Sequence, residues 1–340
     1  MSIRKLSEKA LDTWVSTLIG MHPVFGVQAK GNRFVFDKLE KASQLRLDYD
    51  VTILPPKKYF LPQKEELLSF KNGVFESIKP DERFVLLGVH PYDLVGIRQM
   101  DKIFSQDNYD VHYMQRREQA VIITADIQNC SENNFSGCMS TAVVQDGYDM
   151  LITRIGSDYL VEAKTAKGEE LAKHMKEATD ADAESLKKRT AVWEANQKNM
   201  KKHSLKPALK DIPGLLDKNM ENAVWAEKAE LCFSCGSCVL VCPTCYCFDV
   251  QDEVEWSLDQ GKRVRKWDGC MLEKFATVAG NHNFRPDKSA RYRHRYLRKG
   301  NYVAAKVGEI ACVGCGRCIS ACVAKIANPV EIFNTLAEVK

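Results

Sequence analysis

Cys232-Phe233-Ser234-Cys235-Gly236-Ser237-Cys238-Val239-Leu240-Val241-Cys242-Pro243 sets four cysteines in one short run, C-x-x-C-x-x-C-x-x-x-C-P. The same spacing returns at Cys312, Cys315, Cys318 and Cys322. Three close thiolates followed by a fourth are the ligation run of a 4Fe–4S cubane. Small residues between them, Gly236 and Ser237 in one run and Gly314 and Gly316 in the other, let the backbone turn towards sulfur. In such pairs of runs the fourth cysteine ligates the cluster of the other run. The expected sets are therefore Cys232, Cys235, Cys238 and Cys322 for one cluster, and Cys312, Cys315, Cys318 and Cys242 for the second. Zinc is the competing metal, but its sites favour separated pairs of ligands over four cysteines in one run. Val323 stands where the first run has Pro243. Proline supplies backbone restraint and no coordination, so this exchange leaves the ligand set intact.

The rest of the composition agrees with metal chemistry inside a soluble protein. At 340 residues the chain has room for two domains or three small ones. A 45% hydrophobic content can bury a core, and a net charge of +4 is too small to argue for nucleic acid. Of thirteen cysteines, eight lie in the two runs, leaving Cys130, Cys138, Cys245, Cys247 and Cys270. An odd total fits ligation in a reducing compartment better than a disulfide framework. Met1-Ser2-Ile3-Arg4-Lys5 leads into a charged amphipathic stretch with no apolar signal core. No window approaches the length needed to span a bilayer. The expected location is the cytoplasm.

Hydrophobic periodicity divides the chain into three parts. Residues 3–20 carry Leu6, Leu11, Trp14, Val15 and Leu18 at helical spacing, which predicts an opening helix. Short apolar runs follow at Val24–Val27, Phe34–Phe36 and Val51–Leu54. Phe84–Val89 and Ala120–Thr124 read as buried strands, with a helix through Phe104 after the first and Asp93 as its candidate N-cap. Met150–Arg154 and Tyr159–Glu162 form a hairpin across Gly156-Ser157-Asp158. Residues 168–229 are rich in Lys, Glu, Ala and Leu and predict two or three exposed helices, with Lys187–Lys202 a solvated face. The expected fold class is α+β: an α/β domain at 1–167, a helical linker at 168–225, and a ferredoxin-type dicluster domain at 226–340. A long insertion, residues 243–311, separates the two runs of that last domain.

Several phrases combine into a resemblance. Cys242-Pro243-Thr244-Cys245-Tyr246-Cys247-Phe248-Asp249-Val250, Arg265-Lys266-Trp267-Asp268-Gly269-Cys270 and Ala279-Gly280-Asn281-His282-Asn283-Phe284-Arg285-Pro286 lie between the runs. Arg291-Tyr292-Arg293-His294-Arg295, Cys312-Val313-Gly314-Cys315-Gly316-Arg317-Cys318 and, earlier, Gly88-Val89-His90-Pro91-Tyr92-Asp93-Leu94 and Lys167-Gly168-Glu169-Glu170 complete the set. Together they resemble the dicluster electron-transfer subunits exemplified by the beta subunit of sulfhydrogenase and by the corresponding electron-transfer subunit of anaerobic sulfite reductase. The resemblance implies a non-catalytic subunit of an oxidoreductase complex in anaerobic metabolism. It would pass electrons between a flavin-containing, NAD(P)H- or ferredoxin-linked partner and a catalytic hydrogenase or reductase subunit. It also leads one to expect further cysteines at the places of Tyr92 and Ser136, the latter joining Cys138 in a Cys-x-Cys. This chain has neither, so its N-terminal domain is short of ligands for a cluster.

Cys245, Cys247 and Cys270 admit two readings. They are either a third metal or cluster site, with His282 or Asp268 as a fourth ligand, or small buried thiols packed against the cubanes. A third site would open the alternative of a catalytic reductase. Cys130 and Cys138 read as ordinary thiols. From Lys262 to Lys299 there are 12 Lys or Arg against three acids, with Tyr292 and Tyr296 among the arginines. Such a stripe can bind nucleic acid. An all-cysteine cubane carries negative charge, however, and nearby cations raise its potential, so cluster tuning and partner docking are the preferred reading. His90 and His282, each lone in a turn, read as structural. No dinucleotide fingerprint, phosphate loop or nucleophile elbow is present, so flavin and nicotinamide are expected on partner subunits.

Overall fold

The structure, a computed structural model, describes residues 2–338. Met1 of the N-terminal stretch and residues 339–340 of the expected cluster domain lie outside the described residues. The chain opens with β1 (Ser2–Ser7), α1 (Glu8–Met21), β2 (Val24–Lys30) and β3 (Arg33–Lys38). A hairpin of β4 (Lys64–Lys71) and β5 (Val74–Ser77) precedes β6 (Phe84–Val89), α2 (Pro91–Ser105), α3 (Val111–Gln119) and β7 (Ala120–Ala125). Next come β8 (Met150–Ile155), β9 (Asp158–Ala163), α4 (Ala166–Ala172), β10 (Thr179–Asp180), α5 (Ala183–Asn199), α6 (Ile212–Lys218) and α7 (Val224–Glu230). The cysteine-rich part holds α8 (Ser237–Leu240), β11 (Phe248–Val254), β12 (Gln260–Trp267), β13 (Thr277–Val278), β14 (His282–Asn283) and α9 (Lys288–Leu297). It closes with a π-helical turn at Arg298–Tyr302, then α10 (Val303–Val307), α11 (Arg317–Ala321) and α12 (Pro329–Glu338).

One eight-stranded sheet, in the order β10-β1-β9-β8-β7-β6-β2-β3, forms the N-terminal core. Its central strands β2, β6, β7 and β8 run parallel, and its outer pairs are antiparallel. Every residue of β6 and β7 is buried, because helices cover both faces. Val85, Leu87, Val121 and Ile123 pack with Trp14, Val15 and Leu18 of α1 on one face. Leu86, Ile122 and Leu151 pack with Leu94, Ile97 and Met100 of α2 on the other. This two-sided burial is why these strands read as unbroken apolar runs.

Three local expectations are corrected. Residues 2–7 are a strand paired to β9, and the opening helix starts only at Glu8, after Ser7 accepts the Ala10 N–H as its N-cap. Val51–Leu54 forms no strand beyond a single bridge from Thr52 to Phe34. His90 occupies the N-cap position of α2, with Pro91 at its start, and Asp93 lies inside the first turn. The stretch 168–229 holds α5, α6, α7 and most of α4. It also holds β10, which joins the edge of the main sheet beside β1.

A second, four-stranded antiparallel sheet has the order β11-β12-β4-β5. The insertion between the cysteine runs thus pairs with a hairpin from the first eighty residues. Charge dictates much of that pairing: Arg265 bonds Glu65 at 2.7 Å and also engages Asp110, Lys262 pairs with Glu66, and Lys64 and Lys266 share Glu253.

The second cysteine run is held by the N-terminal part of the chain. Arg317 sends Nη1 and Nη2 to the Asp93 carboxylate at 2.6 and 2.7 Å, and its Nε to the Thr52 carbonyl at 2.8 Å. Both charges are enclosed. Asp93→Ala leaves a buried guanidinium unpaired and is expected to cost about 3–5 kcal/mol. Chemical denaturation should show that loss, and Asp93→Ala combined with Arg317→Met should recover part of it.

Candidate iron–sulfur site

Both cysteine runs fold by the same local rule. After α7, Cys232 is followed by Ser234 at φ 51° and Gly236 at φ 73°, and Gly236 caps α8. In the second run Gly314 and Gly316 adopt φ 70° and 78°, and Gly316 caps α11. Left-handed residues turn the chain back on itself between cysteines, and glycine adopts that conformation without strain. The second run has an additional reason for glycine. A Cβ at Gly314 would lie 2.7 Å from the Ser136 backbone, and one at Gly316 would fall on the Asn133 carbonyl oxygen. The 133–136 loop lies directly on this run, with the Phe135 N–H donating to the Gly314 carbonyl at 2.8 Å.

The short helices α8 and α11 pack against each other, so the cysteine ending each run returns to the start of the other. Cys232, Cys235, Cys238 and Cys322 line one small cavity, walled by Met271, Tyr292 and Ile326. Cys242 faces Cys312, Cys315 and Cys318, each of which feels its charge. The two environments differ. Cys235 is exposed, whereas Cys315 and Cys318 are buried beneath the N-terminal domain. Burial pushes the Cys238 and Cys312 thiols up to about 12. Cys242 moves the opposite way, well below the ordinary thiol range, through a hydrogen bond from Cys245 and the charges of Lys299 and Lys57.

Cations surround these thiols. Arg291, Arg295 and Lys299 lie at i, i+4 and i+8 on one face of the helical segment from α9 into the π turn, and all three are buried. Arg291 reaches Ser234 Oγ at 3.1 Å, and Lys299 reaches Thr244 Oγ1 at 2.6 Å and lies close enough to Cys242 to feel its charge. Arg295 lies beside Cys238 and Cys318, and its Nε and Nη1 are buried with no partner among the described residues. None of the three has a carboxylate at ion-pair distance among the described residues. Buried charge demands an opposite charge, and the candidates packed here are cysteine sulfurs. An iron–sulfur cluster, bound by thiolates and anionic as a whole, fits that demand. Among the described residues no three His, Cys, Asp or Glu side chains converge on the position of a single ion.

Other residues singled out in the sequence fall elsewhere. His90 stacks on Tyr49 at 3.8 Å and bonds the Tyr92 hydroxyl at 2.7 Å, and burial holds it well below the usual histidine range. His282 is exposed and meets Phe284 edge to face. The Asp268 carboxylate accepts the Gly269 N–H. Cys130 packs near Tyr92 and Cys315, and Cys138 packs near Phe135 and Cys312. Tyr92 is satisfied by His90 and Ser136 by Asn134, so hydrogen-bonded side chains occupy the two places where further cysteines were expected. The basic stripe is mostly turned inward or neutralised, Arg263 by Asp252 and Arg293 by Glu221. Lys57 was not foreseen. It is buried, donates to the Cys245 carbonyl at 2.6 Å, and is lowered to about 8, chiefly by burial.

Residues 231–326 match the model of a 4Fe–4S dicluster domain. The whole chain is 33% identical to the sulfhydrogenase 2 subunit beta of Pyrococcus furiosus, over 98% of either chain. This chain belongs to the sulfhydrogenase beta-subunit family. Within it, the chain is an iron–sulfur electron-transfer subunit. No solved structure matches it. No helix among the described residues is long and apolar enough to cross a membrane.

Two glycines separate backbone strain from crowding. Gly308 has φ 84° and open space beyond it, whereas Gly316 has φ 78° and the Asn133 carbonyl in the way. Gly308→Ala should cost about 1–2 kcal/mol, the strain alone. Gly316→Ala should cost clearly more, read from the thermal midpoints of the two variants.

Proposed function

We propose that this protein relays single electrons through two adjacent 4Fe–4S clusters. One is held by Cys232, Cys235, Cys238 and Cys322, the other by Cys312, Cys315, Cys318 and Cys242. The relay connects a flavin-containing, NAD(P)H- or ferredoxin-linked partner to a catalytic metalloenzyme subunit of hydrogenase or reductase type, in a cytoplasmic complex. The observation that carries the ligand sets is the return of Cys322 to the cavity of the first run. A bound cubane supplies reversible one-electron chemistry.

The chain's own residues do the rest. The eight thiols supply the ligands, and ligation must displace protons from thiols that burial holds protonated, Cys238 and Cys312 among them. Arg291, Arg295 and Lys299 supply fixed positive charge, which favours the more negative, reduced state of a cluster. Cys235 brings the edge of the first site to the surface, where electrons can pass to a partner. Partners carrying flavin and the substrate-reducing centre follow from the lack of either fingerprint in the sequence.

The ligand sets are tested by paired substitutions. Cys242→Ser should damage the cluster of Cys312, Cys315 and Cys318 and spare its neighbour, and Cys322→Ser should do the reverse. EPR of the anaerobically reduced protein reads the two outcomes. Loss of the cluster nearest in sequence to each substitution would refute the crossed pairing. Arg295→Met should lower the midpoint potential of at least one cluster, with Arg295→Lys retaining more of it, as followed by EPR-monitored redox titration.

A further inference from the structure

Beside the two runs lies a second small pocket, lined by Cys245, Cys247 and Cys270. Its remaining walls are Thr244, Tyr246, Val303 and three cations, Arg295, Arg298 and Lys299. Among the described residues, no acid lines it. We propose that this cavity is a third iron–sulfur site, in which Cys245, Cys247 and Cys270 hold a 4Fe–4S cluster by three thiolates. The inference rests on the reading that the two runs themselves carry clusters.

Four observations carry it. Folding brings the three sulfurs to one cavity from separate places. Cys245 and Cys247 follow the first run directly, and Cys270 comes from the far end of the insertion, after β12. The hairpin β11-β12, anchored to β4, spans the chain between Cys247 and Cys270 and fixes their separation. The buried Arg295, with Nε and Nη1 unpartnered, borders the cavity, and Lys57 closes on the Cys245 carbonyl from the N-terminal domain. Buried guanidinium atoms left without partners beside a thiol-lined space call for an anion there.

The size and spread of the thiols select the kind of anion. The cavity is close in volume to the one formed by Cys232, Cys235, Cys238 and Cys322. As in that cavity, the sulfurs do not converge on the position of a single ion. A tetrahedral zinc needs ligands gathered about 2.3 Å from one point. A cubane needs them spread over separate irons. With His282 exposed and Asp268 outside the cavity lining, three thiolates are the protein's whole contribution among the described residues.

The position also fits a relay. The Cys245 N–H donates to the carbonyl of Cys242, a member of the second ligand set, at 3.4 Å. Cys270 neighbours Cys238 of the first set, and Met271 beside it walls that set's cavity. The third site therefore touches both clusters.

Iron and acid-labile sulfide, counted on the anaerobically reconstituted full chain, test the inference separately from the reading beneath it. Three cubanes give about twelve irons per chain and two give about eight. About twelve irons in the unaltered protein is the expected result. The Cys247→Ala, Cys270→Ala double variant should then fall to about eight and lose one EPR component, while Cys130→Ala keeps the full count. About eight irons in the unaltered protein would refute the third site and leave the two-cluster reading standing. One zinc per chain displaced by neither iron nor sulfide would refute it as well. Near-zero iron would overturn both. Because the decisive count is made on the unaltered chain, misfolding of the double variant cannot decide the outcome.

Discussion

Three cations are buried along one face of the helical segment that starts at Lys288, and no carboxylate among the described residues pairs with any of them. A buried charge without a counter-charge is among the most expensive features a fold can carry. Where the other buried cations of this protein have partners, the partners are plain: Arg317 has Asp93, and Arg265 has Glu65 and Asp110. Arg295 leaves Nε and Nη1 unbonded beside cysteines, and Arg291 leaves its Nε unbonded. The cysteine-rich half is consequently a structure completed by anionic cofactors. The π turn at Arg298–Tyr302 carries Lys299, whose Nζ bonds Thr244 Oγ1.

The same constraint explains why the N-terminal domain is bound so closely to the second run. A cluster beneath Cys315 and Cys318 must be shielded without introducing further unpaired charge. The 133–136 loop provides a backbone cover, and Thr141 and Gln99 bond the Val313 and Ile310 carbonyls at 2.6 and 3.0 Å. Arg317 lies within the run itself, and Asp93 cancels its charge from the first turn of α2, where an acid also suits the helix dipole. The places of Tyr92 and Ser136 then read as closure. Each holds a side chain with its hydrogen bonds satisfied, and neither offers sulfur to a further group.

Legibility in the sequence followed how local the signal was. The cysteine spacing predicts two similarly turned loops because the turn geometry each requires is contained within about ten residues. The runs at Phe84–Val89 and Ala120–Thr124 were readable because strands covered on both faces lose their alternation. The hairpins at Lys64–Ser77 and Phe248–Trp267 left no comparable trace. Their strands are exposed or half-buried and rich in charge, and what joins them is a ladder of ion pairs between residues nearly two hundred positions apart. Ser2–Ser7 was absorbed into the adjoining helix because Leu6 continues its apolar spacing, whereas pairing to β9 decides its conformation. Asp93 reads as a cap from its place after His90-Pro91, but a partner 224 residues away claims its carboxylate. The cation ladder was half legible. The positive excess is visible in sequence, and the spacing of Arg291, Arg295 and Lys299 would have placed it on one inward face.

The two cluster sites are built from one repeated loop yet placed in unlike surroundings, and that difference bears on electron flow. Around the first run, Phe233, Leu231 and Val323 are exposed beside the exposed Cys235. Around the second, the N-terminal domain leaves Cys315 and Cys318 buried. Solvent exposure, net charge and hydrogen bonds to sulfur set the potential of a cluster. Here the charge is supplied from one shared helix, while exposure differs from site to site. Burial alone would make the enclosed cluster harder to reduce, and the cations of Arg295 and Lys299 oppose that effect where it is strongest. A pair of sites can then remain close enough in potential to exchange electrons in either direction, with the outer one presented to a partner.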